Sequence, residues 1–291
     1  MTSGKPGLPF ERLVPVRGLR LNIRVWPGKG RAFLLLHGLS SNARTWDGVA
    51  RRLHADGYRV VAVDQRGHGL SDKPDDGYSF DDVTSDLREL IGGLGLARPI
   101  LIGQSWGGNV VLDFAGRYPG LASGIVLVDG GFTELAARPD ATWERISVVL
   151  RPPDLDGMPR REFEERLRKR HAYMTPERIE AVMGNFEVLA DRTIRRRLSI
   201  PNHMKILRSV WEQRPSKIFG GVREPVLITA PVDADPERAR RRLEAVESAR
   251  SALARSRVRW FEDTVHDIHV QRPDELSAEI LSALRDGFFG W

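Results

Sequence analysis

Cysteine is absent from this 291-residue chain. That absence excludes disulfides, thiolate metal sites and a cysteine nucleophile together, and it suits a reducing cytoplasm. No apolar run approaches the roughly 18–20 residues needed to span a bilayer. Met1 to Leu13 lacks the apolar core of a secretory signal. The expectation is a cytoplasmic protein with no membrane partner. Lysine is scarce, so the net charge of +6 is carried almost wholly by arginine. Arg195-Arg196-Arg197 and Arg240-Arg241-Arg242 invite a nucleic-acid reading, but no aromatic-basic module accompanies them, and no nucleic-acid partner is expected. Asp235, Glu237, Glu244 and Glu247 interleave with the second block, as on an exposed helix face laced with ion pairs. No metal-ligand cluster and no dinucleotide glycine motif is present, and Gly67-His68-Gly69 is too short to cradle a phosphate, so no cofactor is expected.

What is present is a strand–helix rhythm. Apolar residues make up 41% of the chain, enough for one large core. Leu13 to Val25 reads as the first strands. Ala32 to Leu36, Tyr58 to Val63, Pro99 to Ile102, Gly124 to Val128 and Pro225 to Ala230 are short, continuously apolar runs, as expected of strands buried on both faces. Val258 to Phe261 is a last strand. Helical patterns lie between them, and a final one covers Asp274 to Phe289. From Phe132 to about Pro215 no strand pattern appears, only amphipathic stretches over Thr142 to Leu150, Arg161 to Tyr173, Pro176 to Leu189 and Asn202 to Trp211. The expected fold class is therefore α/β, a mostly parallel central sheet with helices on both faces and an inserted helical cap. The expected division is a core over residues 1–131 and 216–291, with the cap over 132–215.

At the end of one apolar strand stands Gly103-Gln104-Ser105-Trp106-Gly107, a G-x-S-x-G pattern that opens directly into a helix-compatible stretch. A serine at such a junction is forced into a strained turn, with glycines on both sides leaving room for the crossing chain. Its hydroxyl is then held at the positive end of the following helix. Ser105 is the candidate nucleophile. A serine hydroxyl needs a base to remove its proton, and that base an acid to orient it. Acids stand at two strand ends. Asp129 precedes Gly130-Gly131 after one strand, and Asp233 and Asp235 follow Pro225 to Ala230. Asp235 before Pro236 also suits a helix N-cap. Asp64 reads as a residue tying down its own loop.

With these motifs in this order, the chain resembles the α/β-hydrolase fold family over about Leu19 to Phe289. The matching pieces are His37-Gly38-Leu39, the run from Asp64 to Ser71, the turn at Ser105, and His266-Asp267-Ile268-His269. Within the family it is most similar to the capped esterase, lactonase and C–C-bond hydrolase branch. The resemblance implies His266 as the base, with His269 as alternative, and Asp129 as the acid, with Asp235 and Asp233 as alternatives. It implies backbone N–H groups of Leu39 and Trp106 as the oxyanion hole. Trp106, His203, Met204 and Trp211 are candidate substrate contacts. Met174, Met183, Phe186, Leu189 and Leu207 extend an apolar set that also fits the cap's own core. The function implied is a cofactor-free serine hydrolase taking a small-molecule substrate, a small, largely apolar carboxylic ester or lactone. The alternatives are C–C bond hydrolysis or perhydrolysis with the same triad, and a non-catalytic ligand-binding protein on the same scaffold.

Overall fold

The computed structural model describes residues 8–139 and 141–290. Eight strands form one sheet: β1 (Phe10–Val16), β2 (Leu19–Trp26), β3 (Lys29–Leu36), β4 (Tyr58–Val63), β5 (Ile100–Gln104), β6 (Gly124–Val128), β9 (Val226–Pro231) and β10 (Ser256–Phe261). Their spatial order is β1-β2-β4-β3-β5-β6-β9-β10. β1 and β2 are antiparallel additions, and every pairing from β4 onward is parallel. The stretch read as the first strands is a hairpin turning at Arg17-Gly18, both with positive φ.

Alternation along the strands sorts the core into two layers. Leu34, Leu36, Val61, Leu101, Ile125 and Ile228 face one way and pack with α2 (Phe80–Gly93), α3 (Trp106–Arg117) and α8 (Pro236–Ala252). Phe33, Leu35, Val60, Ile102, Val126 and Leu227 face the other and pack with α1 (Asp47–Ala55) and α9 (Pro273–Arg285). The strands read as continuously apolar because both faces are covered. Each fully buried side chain of this kind stabilises by about 1.5–3 kcal/mol relative to exposure.

Between β6 and β9 the chain carries α4 (Trp143–Val149), α5 (Arg160–Arg170), α6 (Pro176–Met183), β7 (Phe186–Val188), β8 (Ile194–Arg196) and α7 (Ile200–Glu212). The reading of this segment without strands is corrected by the β7–β8 hairpin. Each strand is only three residues long, too short for a period-2 signal. Phe186 and Ile194 point inward, while Glu187 and Arg195 pair outward at 2.6 Å. The apolar set of this segment divides. Met183 and Phe186 join Ile179 and Ile194, with Met174 against them, whereas Met204, Leu207 and Trp211 pack with Leu39. Helix α5 half-buries Phe163 and Leu167 against the first of these clusters, and its outer face carries i,i+4 pairs such as Arg161–Glu165 and Arg166–Glu162.

Candidate active site

Parallel pairing brings the ends of the central strands level. Leu36 stands opposite Gly103, Gln104 opposite Val128, and Val128 opposite Thr229. The residues that follow these ends therefore emerge together, at the carboxyl edge of the sheet where open α/β folds place ligands. Ser105 links β5 to α3 with φ 52° and ψ −120°, outside the regions an L-residue favours. Neighbours impose this strain. A side chain at Gly103 would collide with the Gly107 carbonyl, and one at Gly107 with the Leu36 carbonyl. Ser105 N–H donates to the Val128 carbonyl at 3.0 Å, which pins the turn to β6. A Cβ at Gly38 would lie 3.1 Å from Ser105 Cβ, so the His37-Gly38-Leu39 loop runs directly beside the serine.

Asp129 follows β6, with φ 43° and its N–H donating to the Thr229 carbonyl at 2.8 Å. That turn aims the carboxylate at the loop after β10. His266 Nδ1 lies 2.6 Å from Asp129 Oδ2. The carboxylate is buried, with 4% of its side chain exposed, whereas the His266 side chain keeps 51%. Gln104, the residue before the serine, donates through Nε2 to the His266 carbonyl at 3.3 Å. The β5 end, the β6 end and the C-terminal loop are thus hydrogen-bonded to one another around Ser105.

The same carboxylate takes a second partner. Arg242, on α8, donates through Nε to Asp129 Oδ1 at 3.1 Å and through Nη2 to Oδ2 at 3.3 Å, and its Nη1 reaches Asp233 Oδ2 at 3.0 Å. This corrects the reading of the Arg240–Arg242 block as wholly exposed. Arg240 and Arg241 do pair with Glu237 and Glu244 on the surface, but Arg242 turns inward. The signal was one helical turn away: Val246 and Ala249 are the buried positions of α8, and residue 242 shares the face of 246.

The remaining acids are engaged elsewhere. Asp235 caps α8, accepting from Arg238 N–H at 2.8 Å, and Asp233 is held by Arg242. Neither makes a hydrogen bond to His266 among the described residues, whereas Asp129 does. Asp64 accepts from Asn22 Nδ2 and from the N–H groups of Ala43 and Leu70 at 2.7–2.9 Å, fastening strand β2 to two loops.

The histidines separate by environment. Burial pulls the His266 imidazole down, but the hydrogen bond and charge of Asp129, with Asp267 adding, outweigh it and hold its pKa above the ordinary value. Burial pushes His203 and His269 down to about 4, and it lowers His37 and His68 as well. His269 is 1% exposed against the Trp46 ring at 4.5 Å, and neither ring nitrogen has a hydrogen-bond partner. Such an environment disfavours the imidazolium that a general base must become. His37 accepts from Gln65 N–H through Nε2 at 3.1 Å, which leaves Nδ1 to donate to the Gly38 carbonyl at 2.8 Å.

Trp106 is buried and stacks on His68 at 5.2 Å. His203 Nδ1 meets Ser40 Oγ at 2.8 Å, in the loop after β3. Met204, Trp211 and Leu39 all pack against the small cluster of Leu135, Ile146 and Leu207, so α7 and the loop beside the serine share one apolar contact. Arg208 instead pairs with Glu212 and lies over the Trp143 ring. Among the described residues no group of three or more His, Asp or Glu side chains is arranged to hold a metal ion, and no helix is long and apolar enough to cross a membrane.

Comparison with known proteins agrees with this architecture. The profile of the Alpha/beta hydrolase family matches residues 33–279. A 2-(acetamidomethylene)succinate hydrolase of Mesorhizobium japonicum is 39% identical over 120 residues, 41% of this chain and 42% of that protein. An uncharacterized Mycobacterium tuberculosis protein, Rv2715, is 40% identical over 126 residues, 43% of this chain and 36% of that one. These matches span less than half the length of the relatives. Among solved structures, E-2-(acetamidomethylene)succinate hydrolase superposes with a TM-score of 0.79 at 24% identity, covering 95% of this chain and 99% of that one. An esterase from Exiguobacterium antarcticum superposes with a TM-score of 0.72 at 19% identity, covering 95% and 100%. At these identities the superpositions establish the fold, and with the profile covering most of the sequence, the chain belongs to the alpha/beta hydrolase family.

Proposed function

We propose that this protein is a cofactor-free serine hydrolase that cleaves a small carboxylic ester or lactone through an acyl-enzyme. Ser105 Oγ attacks the carbonyl carbon while His266, through Nε2, takes its proton. The tetrahedral oxyanion is held by the N–H groups of Leu39 and Trp106. Asp129 fixes the imidazole with Nδ1–H toward itself and favours the cation that forms. The imidazolium returns its proton to the leaving oxygen. His266 then activates water, which releases the acid and restores the serine. Residues 132–215 act as the cap, with Met204, Trp211 and His203 beside the acyl group.

One observation carries the reading: the 2.6 Å contact of His266 with buried Asp129, at the strand edge that also holds strained Ser105. The test is a panel of aryl esters, lactones, an amide, a dienoate ketone and a peracid-forming assay, run on wild type and Ser105→Ala. Ester or lactone turnover lost in Ser105→Ala is expected. Turnover confined to the dienoate ketone or to perhydrolysis replaces the bond but keeps the triad. Undiminished hydrolysis in Ser105→Ala overturns the mechanism.

A further inference from the structure

Beside His266 opens a cleft of about 900 Å³ between the start of the β6–β9 insert and α8. Its walls are apolar at Phe132, Leu150 and Phe219 and cationic at Arg138, Arg238 and Arg240 to Arg242, with Glu134, Asp233 and Glu244 among them. Arg240 pairs with Glu244, and Glu134 accepts from Ser216 N–H at 2.9 Å. Arg241 and Arg242 are matched by Glu237, Asp129 and Asp233. The guanidinium groups of Arg138 and Arg238 have no acidic partner among the described residues. Burial lowers the pKa of Arg138, and the neighbouring charges that add to this, Arg241, Arg238 and Arg242, are all positive. Arg240 to Arg242 thus have structural partners, and Arg138 and Arg238 are the cations of this cleft left without one among the described residues. An anion entering between them would offset their repulsion.

We propose that this cleft receives an anionic leaving group, a carboxylate-bearing alcohol or phenol, with the carboxylate between Arg138 and Arg238 and its apolar body against Phe132 and Phe219. The inference rests on the hydrolase reading, because the group protonated by His266 must lie against that ring, and His266 forms part of the cleft wall. It makes the substrate amphipathic: an apolar acyl part beside α7 and a charged product alcohol at α8. Hydrolysis then frees the acid and a hydroxy-carboxylate, with water supplying the added atoms.

The test compares para-acetoxybenzoate with its neutral methyl ester in wild type, in the Arg138→Ala/Arg238→Ala variant, and in Arg161→Ala as a surface-charge control. Two contacts of the strength of exposed ion pairs give about a tenfold preference in kcat/KM for the anionic ester, weakening with salt. The ratio is expected to fall to near one in the double variant and to persist in Arg161→Ala. Binding of para-hydroxybenzoate, followed by titration calorimetry, provides a readout independent of turnover and is expected to weaken about tenfold in the double variant. Equal ratios in wild type and double variant, with unchanged binding, overturn the inference. A preference found only for an anionic acyl group, in phenyl hemisuccinate, overturns the leaving-group assignment. Loss of binding in the double variant without turnover of any ester supports the anion cleft while the hydrolase reading fails.

Discussion

The carboxyl edge of the sheet and the β6–β9 insert that packs against its loops hold their shape by different means. At the edge, backbone touches backbone. Ser105 is bound to β6, Asp129 to β9, and Gly103 and Gly107 admit nothing larger. In the insert, two small apolar clusters and a helix dressed in exposed ion pairs do the work. Over-determined backbone can carry strain such as the Ser105 turn. Loosely determined side-chain clusters can be repacked, so the first region suits fixed chemistry and the second suits substrate choice.

The largest effect that bears on this contrast is at the serine. Ser105→Ala is expected to lower kcat/KM by about a thousandfold or more with an unchanged Tm, measured on whichever ester the panel identifies. Asp129→Asn is expected to follow at about a hundred- to ten-thousandfold, again with folding intact by circular dichroism. Asp235→Ala is its counterpart. Loss of the α8 cap should cost about 0.5–2 kcal/mol in urea unfolding and leave turnover within twofold. Activity surviving Asp129→Asn but not Asp235→Ala would reverse the assignment.

The pH profile sharpens the same point. In the proposed mechanism His266 must be neutral to accept the serine proton, and its raised pKa means that the active fraction is gained only at higher pH. The acid limb of kcat/KM is therefore expected above about 6.5. Asp129 and Asp267 face the imidazole and raise it, and Arg242 opposes them. Arg242→Ala should move the limb further up, and Asp129→Asn should move it down. A wild-type limb below 6.5 would place the base elsewhere.

In the insert, Met204→Ala and Trp211→Ala are expected to change the ratio of short- to long-acyl turnover by several-fold rather than abolish it, because a hydrophobic pocket discriminates by about 1–3 kcal/mol per methylene. Phe114→Ala, on the buried face of α3, should cost about 3–5 kcal/mol. Arg161→Ala, on exposed α5, should leave Tm unmoved in calorimetry.

Much of the edge is legible in sequence because it is built of local necessity. An apolar run into G-x-S-x-G, and an acid followed by Gly130-Gly131 at a strand end, announce themselves within five residues. The choice among Asp129, Asp233 and Asp235 is not local. It depends on which acid faces the β10 loop, and sequence spacing does not reveal that. Arg242 was hidden for a related reason: its neighbours in the arginine block are true surface residues, and only its helical phase with Val246 separates it from them. The β7–β8 hairpin escaped because three-residue strands carry no periodic signal. The pairing of His269 with Trp46 joins two distant loops that no motif connects.

The most direct measurement is peptide mapping after reaction with a fluorophosphonate. One adduct is expected, on Ser105, formed at a rate that falls steeply in Asp129→Asn and rises with pH through the His266 titration. Labelling at another serine, or none in folded protein, would contradict it.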